Sequence, residues 1–416
     1  MIYLAIKHIL SRKKQTLLIV LGIMIGSMGY VVISSVILGV QNFITYQLIN
    51  NDAHIRILAR DEPITEQSIT EELYKKNEMV KWVSPPSGRR GYLYIEYPHG
   101  WFEKLSIDPR VIAYTPSLVS QVIYRRGNNT VVGALNGIFP HDLARITNIN
   151  DNMKAGRLED IGQSGNRIVV GQGLMEKLGA KLNDTILLSS GFSSPEPFKI
   201  VGYFSFGIKQ IDDTIAYGAL TQVQNLNKTP SRISSIAVRI TDVNAAGSIA
   251  EEWSLTGREK VLSWQEVNKN IMSAFVVQDT MRYVVSIAIL TVAGFGIYNV
   301  LTVMISQKQQ EIAILRSIGY NSFDITELFL LQGLMLGFAG GLAGIFAGFL
   351  LSSFLGTIQV FPESSVRGGR LPIAYEFSIY STAFLLAFIS SIFASILPAR
   401  FAGKMTPIEI IRKGTQ

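Results

Sequence analysis

The 416-residue chain is 48% hydrophobic and 17% charged, with a net charge of +7 and no cysteine. Its mean hydropathy of +0.28 is high for a soluble domain and low for a chain held wholly in lipid, which implies a membrane part and a soluble part. The absence of cysteine excludes thiol catalysis, cysteine-ligated metal and disulfide stapling, and the positive excess sits at the two chain ends, which points to membrane topology rather than nucleic-acid binding.

Residues 1–14 interleave Ile2, Leu4, Ile6, Ile9 and Leu10 with Lys7, Arg12, Lys13 and Lys14. This pattern predicts a short amphipathic helix lying on the inner membrane face. Residues 15–40 then form an uncharged apolar run, and three more follow at 283–306, 328–355 and 377–399. About 20 apolar residues cross a bilayer as a helix, which pairs all its own backbone groups. The first run is longer than a signal-peptide core and has no convincing cleavage site, so it reads as an uncleaved signal anchor. Basic residues flank both ends, with Arg400, Lys404, Arg412 and Lys413 against Glu409 alone at the C-terminus. Positive flanks stay cytoplasmic, which places both termini inside and the long segment between spans one and two outside.

Beyond the first span, Phe43, Ile44 and Leu48 keep helical spacing through residue 50, predicting a stalk. Residues 51–264 read as an α+β domain. Strands are expected at 54–60, 110–115, 118–124, 130–135, 167–170, 185–189, 198–204 and 233–240, helices at 173–178 and 243–253, and turns at 84–88 and 127–129. Two lobes with a border near residue 140 are expected. Residues 265–306 form a second stalk and span two, with Val267, Ile271, Phe275 and Gln278 on one face, and this stalk is expected to pair with the first.

Residues 307–327 form a short cytoplasmic segment. In it Ile312, Leu315 and Ile318 share a face, Lys308 and Glu311 lie one turn apart, and Gly319 stops the helix. Asn321 with Asp324 restarts a helix, and residues 328–416 hold spans three and four and the cytoplasmic tail. Span three has Gly333, Gly337 and Gly341 on one face and Gly340, Gly344 and Gly348 on its neighbour. Glycine at every fourth position lets helices approach closely, either at a sliding or dimer interface or within the subunit.

Chemistry is sparse. The nearest approach to a Walker A loop, Gly403-Lys404-Met405, lacks the residues that cradle phosphate. His8, His54, His99 and His141 show no metal-ligand spacing, no G-x-S-x-G occurs, and the four spans hold no charged residue or histidine. The expectation is a non-enzymatic chain without cofactor or metal and with a mechanical or conduit role.

Glu311-Ile-Ala-Ile-Leu-Arg316-Ser-Ile-Gly319 and the C-terminal Leu397-Pro-Ala-Arg400 with Thr406-Pro-Ile-Glu-Ile-Ile-Arg412 resemble the coupling-helix segment and closing motif of the FtsX/MacB-type ABC permeases, most closely the lipoprotein-releasing LolC/LolE permeases. Gly39-Val-Gln-Asn-Phe43, Ala53-His-Ile-Arg-Ile57, Asn136-Gly-Ile-Phe-Pro140, Val169-Val-Gly171 and Val201-Gly-Tyr-Phe204 with Asp212 extend the resemblance over nearly the whole chain. The resemblance implies an α-helical membrane protein with four transmembrane helices and an α+β MacB-like periplasmic core domain inserted between helices 1 and 2, in a bacterial inner membrane.

It also implies that an ABC ATPase dimer, which binds the ATP, docks on Lys308, Glu311, Ile312, Leu315, Arg316 and Gly319. A second copy or a homologous permease completes the assembly. Lipoprotein is then extracted from the outer leaflet by mechanotransmission, with Met24, Met28, Phe295 and Tyr298 placed by position to meet acyl chains. A MacB-like efflux subunit working with an adaptor, or an FtsX-like activator of a periplasmic hydrolase, are the alternatives. The family's hairpin that recruits a periplasmic lipoprotein carrier would fall between Leu188 and Phe198. This chain has only a short loop there, containing Phe192, Pro195 and Pro197.

Overall fold

The apolar runs form four helices of 28 to 39 residues in the computed structural model, each long and apolar enough to cross a membrane. The structure describes residues 2–11, 13–73, 81–191, 194–360 and 369–406. The chain divides into two units, one built from residues up to Phe43, Ser273–Val360 and from Arg370 on, the other from Ile44–Met272.

The helical unit contains α1 (Ile2–Ser11), α2 (Lys13–Asn51), α3 (Lys269–Gln307), α4 (Gln309–Ser317), α5 (Ser322–Leu355) and α6 (Phe377–Lys404). No proline interrupts α2 or α3, so each continues well past the residues a bilayer needs, to a length of about 58 Å. Where the two stalks begin, Gln41 Nε2 donates to Gln278 Oε1 at 3.2 Å.

The two glycine stripes of α5 both pack inside the subunit. Gly333 and Gly337 meet Ser395 and Ser391 of α6, while Gly340, Gly344 and Gly348 meet Ile23, Ser27 and Val31 of α2. Ser391 Oγ donates to the Gly333 carbonyl at 2.6 Å, and a Cβ at Gly337 would lie 2.7 Å from that same Oγ.

The other unit is built on a ten-stranded sheet. In chain order its strands are β1 (Ile55–Leu58), β2 (Asp61–Pro63), β3 (Arg89–Gly91), β4 (Val111–Arg126), β5 (Asn129–Ile138), β6 (Met153–Ala155), β7 (Arg167–Gly171), β8 (Thr185–Ser190), β9 (Glu196–Phe204), β10 (Ile215–Ala219), β11 (Ser235–Ile240) and β12 (Lys260–Ser263). The sheet runs β12-β1-β11-β4-β5-β10-β7-β9-β6, with β8 against β4 and β9, and β2-β3 form a separate hairpin.

The strands expected at 110–115 and 118–124 are one strand, β4. Residues up to Ser117 pair with β11 and those from Leu118 with β5. Pro116 therefore lies where β4 has a neighbour on one side only, the position at which a missing N–H is tolerated. The β4–β5 turn runs through Gly127, whose φ of +56° is the left-handed value such a two-residue hairpin requires.

Two apolar clusters cover opposite faces of the same strands. Ile168 and Val170 of β7 belong to a large core with Trp253, Phe198 and Tyr124, whereas Val169 belongs to a second with Phe204, Leu143 and Leu158. Strand side chains alternate between faces, so β7 is buried on both. What reads as two lobes in sequence is here two sides of a sheet that stays continuous through β4.

Gly171 ends β7 where a Cβ would lie 2.2 Å from the Asp212 carbonyl. The Asp212 carboxylate accepts from Ser205 Oγ at 2.9 Å and from the Phe206 and Gly207 amides at 2.9 and 3.1 Å. Burial nonetheless pushes its pKa up.

Asp108 accepts from Arg110, whose guanidinium also reaches Glu252 at 2.8 Å. The Arg110 hydrogen bond holds the Asp108 pKa down to about 2. A depressed carboxylate stabilises the fold above its unfolded pKa and loses that contribution as pH falls through the folded value. With Arg110 38% exposed, screening leaves an effect of about 1 kcal/mol. Asp108→Asn is expected to lower stability by that amount at pH 7, with the gap to wild type closing between pH 4 and pH 2. Tryptophan fluorescence of the whole chain measures it, because all four tryptophans lie in this unit; a gap that stays constant down to pH 2 would refute the assignment.

Candidate coupling site and apolar groove

The segment between α3 and α5 folds as expected from its spacing. The α3 helix breaks at Lys308, α4 runs to Ser317, Gly319 takes a φ of +112°, and an Asn321–Asp324 capping box opens α5. Ile312 is fully buried with Ile305, Ile325, Phe329, Ala399 and Ala402, and Leu315 packs on the same cluster. Arg316 Nη1 donates to the Tyr320 carbonyl at 3.1 Å, closing the end of α4. Lys308 is buried, and its Nζ donates to Glu311 Oε2 at 2.7 Å.

The outward face of α4 is different from the one its sequence suggests. Glu311 is 55% exposed, Ile314 59% and Ile318 73%. Three-residue steps drift around a helix, so Ile318 stands about 120° from Ile312 and leaves the face of Ile312 and Leu315. Ile314 is the residue that sequence reading passes over, and Ile318 is the one it places on the other face. Their signal is an apolar i,i+4 pair on the side opposite the buried Ile312 and Leu315. His8 is a second omission: no local motif marks it, yet it lies within 3.5 Å of Glu311.

Phe295 and Tyr298 line one groove between α3 and α6, of about 600 Å³, with Gly294, Ser390, Phe393 and Leu397. No charged residue lines it among the described residues. Gly294 opens the space: a Cβ there would come within 3.3 Å of Ser390 Oγ. Met24 and Met28 lie elsewhere, on the side of α2 that packs against Gly344 and Gly348 of α5. A second apolar groove, of about 530 Å³, lies between α2 and α3 over Gly22 and Gly26.

Of the short loop before β9, Phe192 lies outside the described residues. Pro195 and Pro197 are exposed, and Pro197 stands opposite Leu187 in the β8–β9 pair.

Residues 283–407 match the FtsX-like permease C-terminal family, and residues 16–254, more than half of the chain, match the MacB-like periplasmic core domain family. The chain belongs to the FtsX/MacB permease superfamily. Among curated relatives, this permease is 23% identical to the lipoprotein-releasing system transmembrane protein LolC of Neisseria meningitidis serogroup B, over 99% of this chain and 98% of that protein. It is 24% identical to LolE of Haemophilus influenzae, over 74% of this chain and 79% of that one. It is 25% identical to the macrolide export ATP-binding/permease protein MacB 1 of Aeromonas hydrophila, over 73% of this chain and 47% of that one. It is thus an ABC transporter permease and a multi-pass inner-membrane protein, of a kind that works with an ATPase subunit.

Proposed function

We propose that this permease extracts lipoproteins from the outer leaflet of the inner membrane, driven by a separate ATPase that docks on the outward face of α4. The observation that carries this reading is the end-to-end match to a lipoprotein-releasing relative, 99% of one chain and 98% of the other. The groove beside Phe295 and Tyr298 supports it. An acyl chain that moves from the bilayer core to an uncharged wall exchanges one apolar setting for another and meets no desolvation penalty. In this reading both termini are cytoplasmic, and the β-rich domain inserted between α2 and α3 is periplasmic. Because α3 is the least buried span, a second copy or a homologous permease covers it. ATP-driven closure of two such subunits moves the bundle, and the continuous α2 and α3 carry the movement outward.

A second reading, export of a small molecule through an adaptor, is favoured by the short β8–β9 connection and the MacB-like domain match. Purification in mild detergent with co-expressed partners, followed by mass spectrometry, separates the two. A Walker-type ATPase with triacylated lipoproteins is expected. The same ATPase with an adaptor and no lipoprotein supports export instead, and no ATPase refutes both. Within that complex, a photo-crosslinker at Phe295 or Tyr298 is expected to label bound lipoprotein at least about tenfold more than one at Met24 or Met28, which do not line that groove. Equal labelling at all four positions would remove the groove from the argument.

A further inference from the structure

Polar side chains from three helices meet at the end of the bundle that carries α4. Gln332 is fully buried, the one polar side chain between residues 328 and 351 of α5. Its Nε2 donates to His8 Nδ1 of α1 at 3.2 Å, and its Oε1 has no partner among the described residues. His8 Nε2 faces Glu311 Oε2 of α4 at 3.5 Å, and the same oxygen accepts from Lys308 Nζ. Burial, and next the Lys308 charge, push the His8 pKa down against the pull of Glu311. A neutral imidazole has one N–H. With Nδ1 accepting from Gln332, that proton sits on Nε2 and points at Glu311, so each ring nitrogen is engaged by a different helix.

One face of α1 is tied down beyond His8: Ala5 is fully buried, and Thr16 Oγ1 at the start of α2 donates to the Ile9 carbonyl at 2.8 Å. The α1 helix is therefore packed into the bundle through one face. If α4 shifts, it either loses its contact with His8 or takes α1 with it. If His8 moves alone, Gln332 is left without a partner in an apolar setting, where an unpaired amide is strongly disfavoured.

We propose that His8 is a positioning residue that ties α4 to α1 and to Gln332 of α5, so that displacement of α4 by the docked ATPase reaches α1 and, beyond the direct packing of Ile312 on Ile325 and Phe329, the Gln332 turn of the third membrane helix. The proposal rests on α4 being the docking element.

The test uses the permease with its ATPase in nanodiscs of phosphatidylethanolamine and phosphatidylglycerol, and reads amide hydrogen exchange with and without ATP and orthovanadate. In wild type, exchange in α1, α4 and the Gln332 region of α5 is expected to respond to nucleotide. In His8→Ala the ATPase stays bound and α4 still responds, but the response of α1 and of the Gln332 region falls at least about fivefold. His8→Gln, which keeps a donor and an acceptor, restores it. Gln332→Leu, which keeps an apolar helix foldable whatever His8→Ala does, loses the α5 response while α1 still follows α4. An unchanged α1 response in His8→Ala, or a silent α1 in wild type beside a responding α4, overturns the proposal. Failure of the ATPase to bind wild type, with no nucleotide response in α4, overturns the docking reading and the relay with it, and is told apart by that silence of α4.

Discussion

Gly344→Leu is expected to lower the melting temperature of the membrane bundle, whereas Gly22→Leu leaves it unchanged. A Cβ at Gly344 would lie 2.6 Å from Ser27 Cβ and 2.8 Å from the Met24 carbonyl oxygen. The second neighbour is backbone, so no rotamer change relieves the clash. Nor does a pivot, because the helices are as close on either side, where a Cβ at Gly340 or Gly348 would lie 2.7 Å from the Cβ of Ile23 or Val31. The two helices must separate along the whole contact. Helix association in lipid depends on this close packing rather than on a hydrophobic drive. Overpacking of this kind costs about 3 kcal/mol or more, which for a chain of this size is a drop of about 3–4 °C or more in melting temperature. Gly22, on the same α2 helix as Ser27, has nothing within 4 Å of where a Cβ would stand and serves as the control. The fraction remaining monodisperse after heating in detergent measures both. Equal melting of the two variants would show that the α2–α5 contact is not what holds the bundle.

The glycine spacing in span three was legible in the sequence, and so was the fact that it brought helices close. Which helices it served was not, since period alone names no partner. The same limit explains Met24 and Met28. Their position along α2 is readable, but α2 is apolar all round, so no pattern tells the groove side from the α5 side. The four spans were readable because lipid demands long uninterrupted apolar helices. The stalks were readable because no breaker stops α2 or α3. In the sheet, Pro116 read as a strand end, and only the change of partner along β4 reconciles it with a continuous strand. His8 was invisible for a different reason. Its partners Glu311 and Gln332 are more than 300 residues away in sequence, and a lone histidine in an amphipathic segment carries no local signature.

The outward face of α4 carries the other large effect. Ile314→Asp combined with Ile318→Asp is expected to abolish ATPase co-purification while the permease still inserts and remains monodisperse. These two residues are 59% and 73% exposed and stand beside the exposed Glu311, an apolar pair with a charged neighbour on a nine-residue helix. Covering an isoleucine contributes about 1.5–3 kcal/mol, and a desolvated carboxylate in its place adds a penalty. Even with part of the gain offset by the ordering costs of association, the double variant should lose at least about a hundredfold in affinity. Ile312→Ala tests the opposite side of the same helix. It empties space in the cluster of Ile305, Ile325, Phe329 and Ala399, and should lower bundle stability by about 2–5 kcal/mol. Any loss of ATPase binding there should follow the loss of fold. Arg316→Ala falls between, because its contact with the Tyr320 carbonyl shapes the end of α4 rather than its surface. Titration of the purified ATPase against each variant in nanodiscs separates the three. If the double aspartate variant binds within about threefold of wild type, α4 is not where the motor docks, and the exposed pair must be covered by lipid instead.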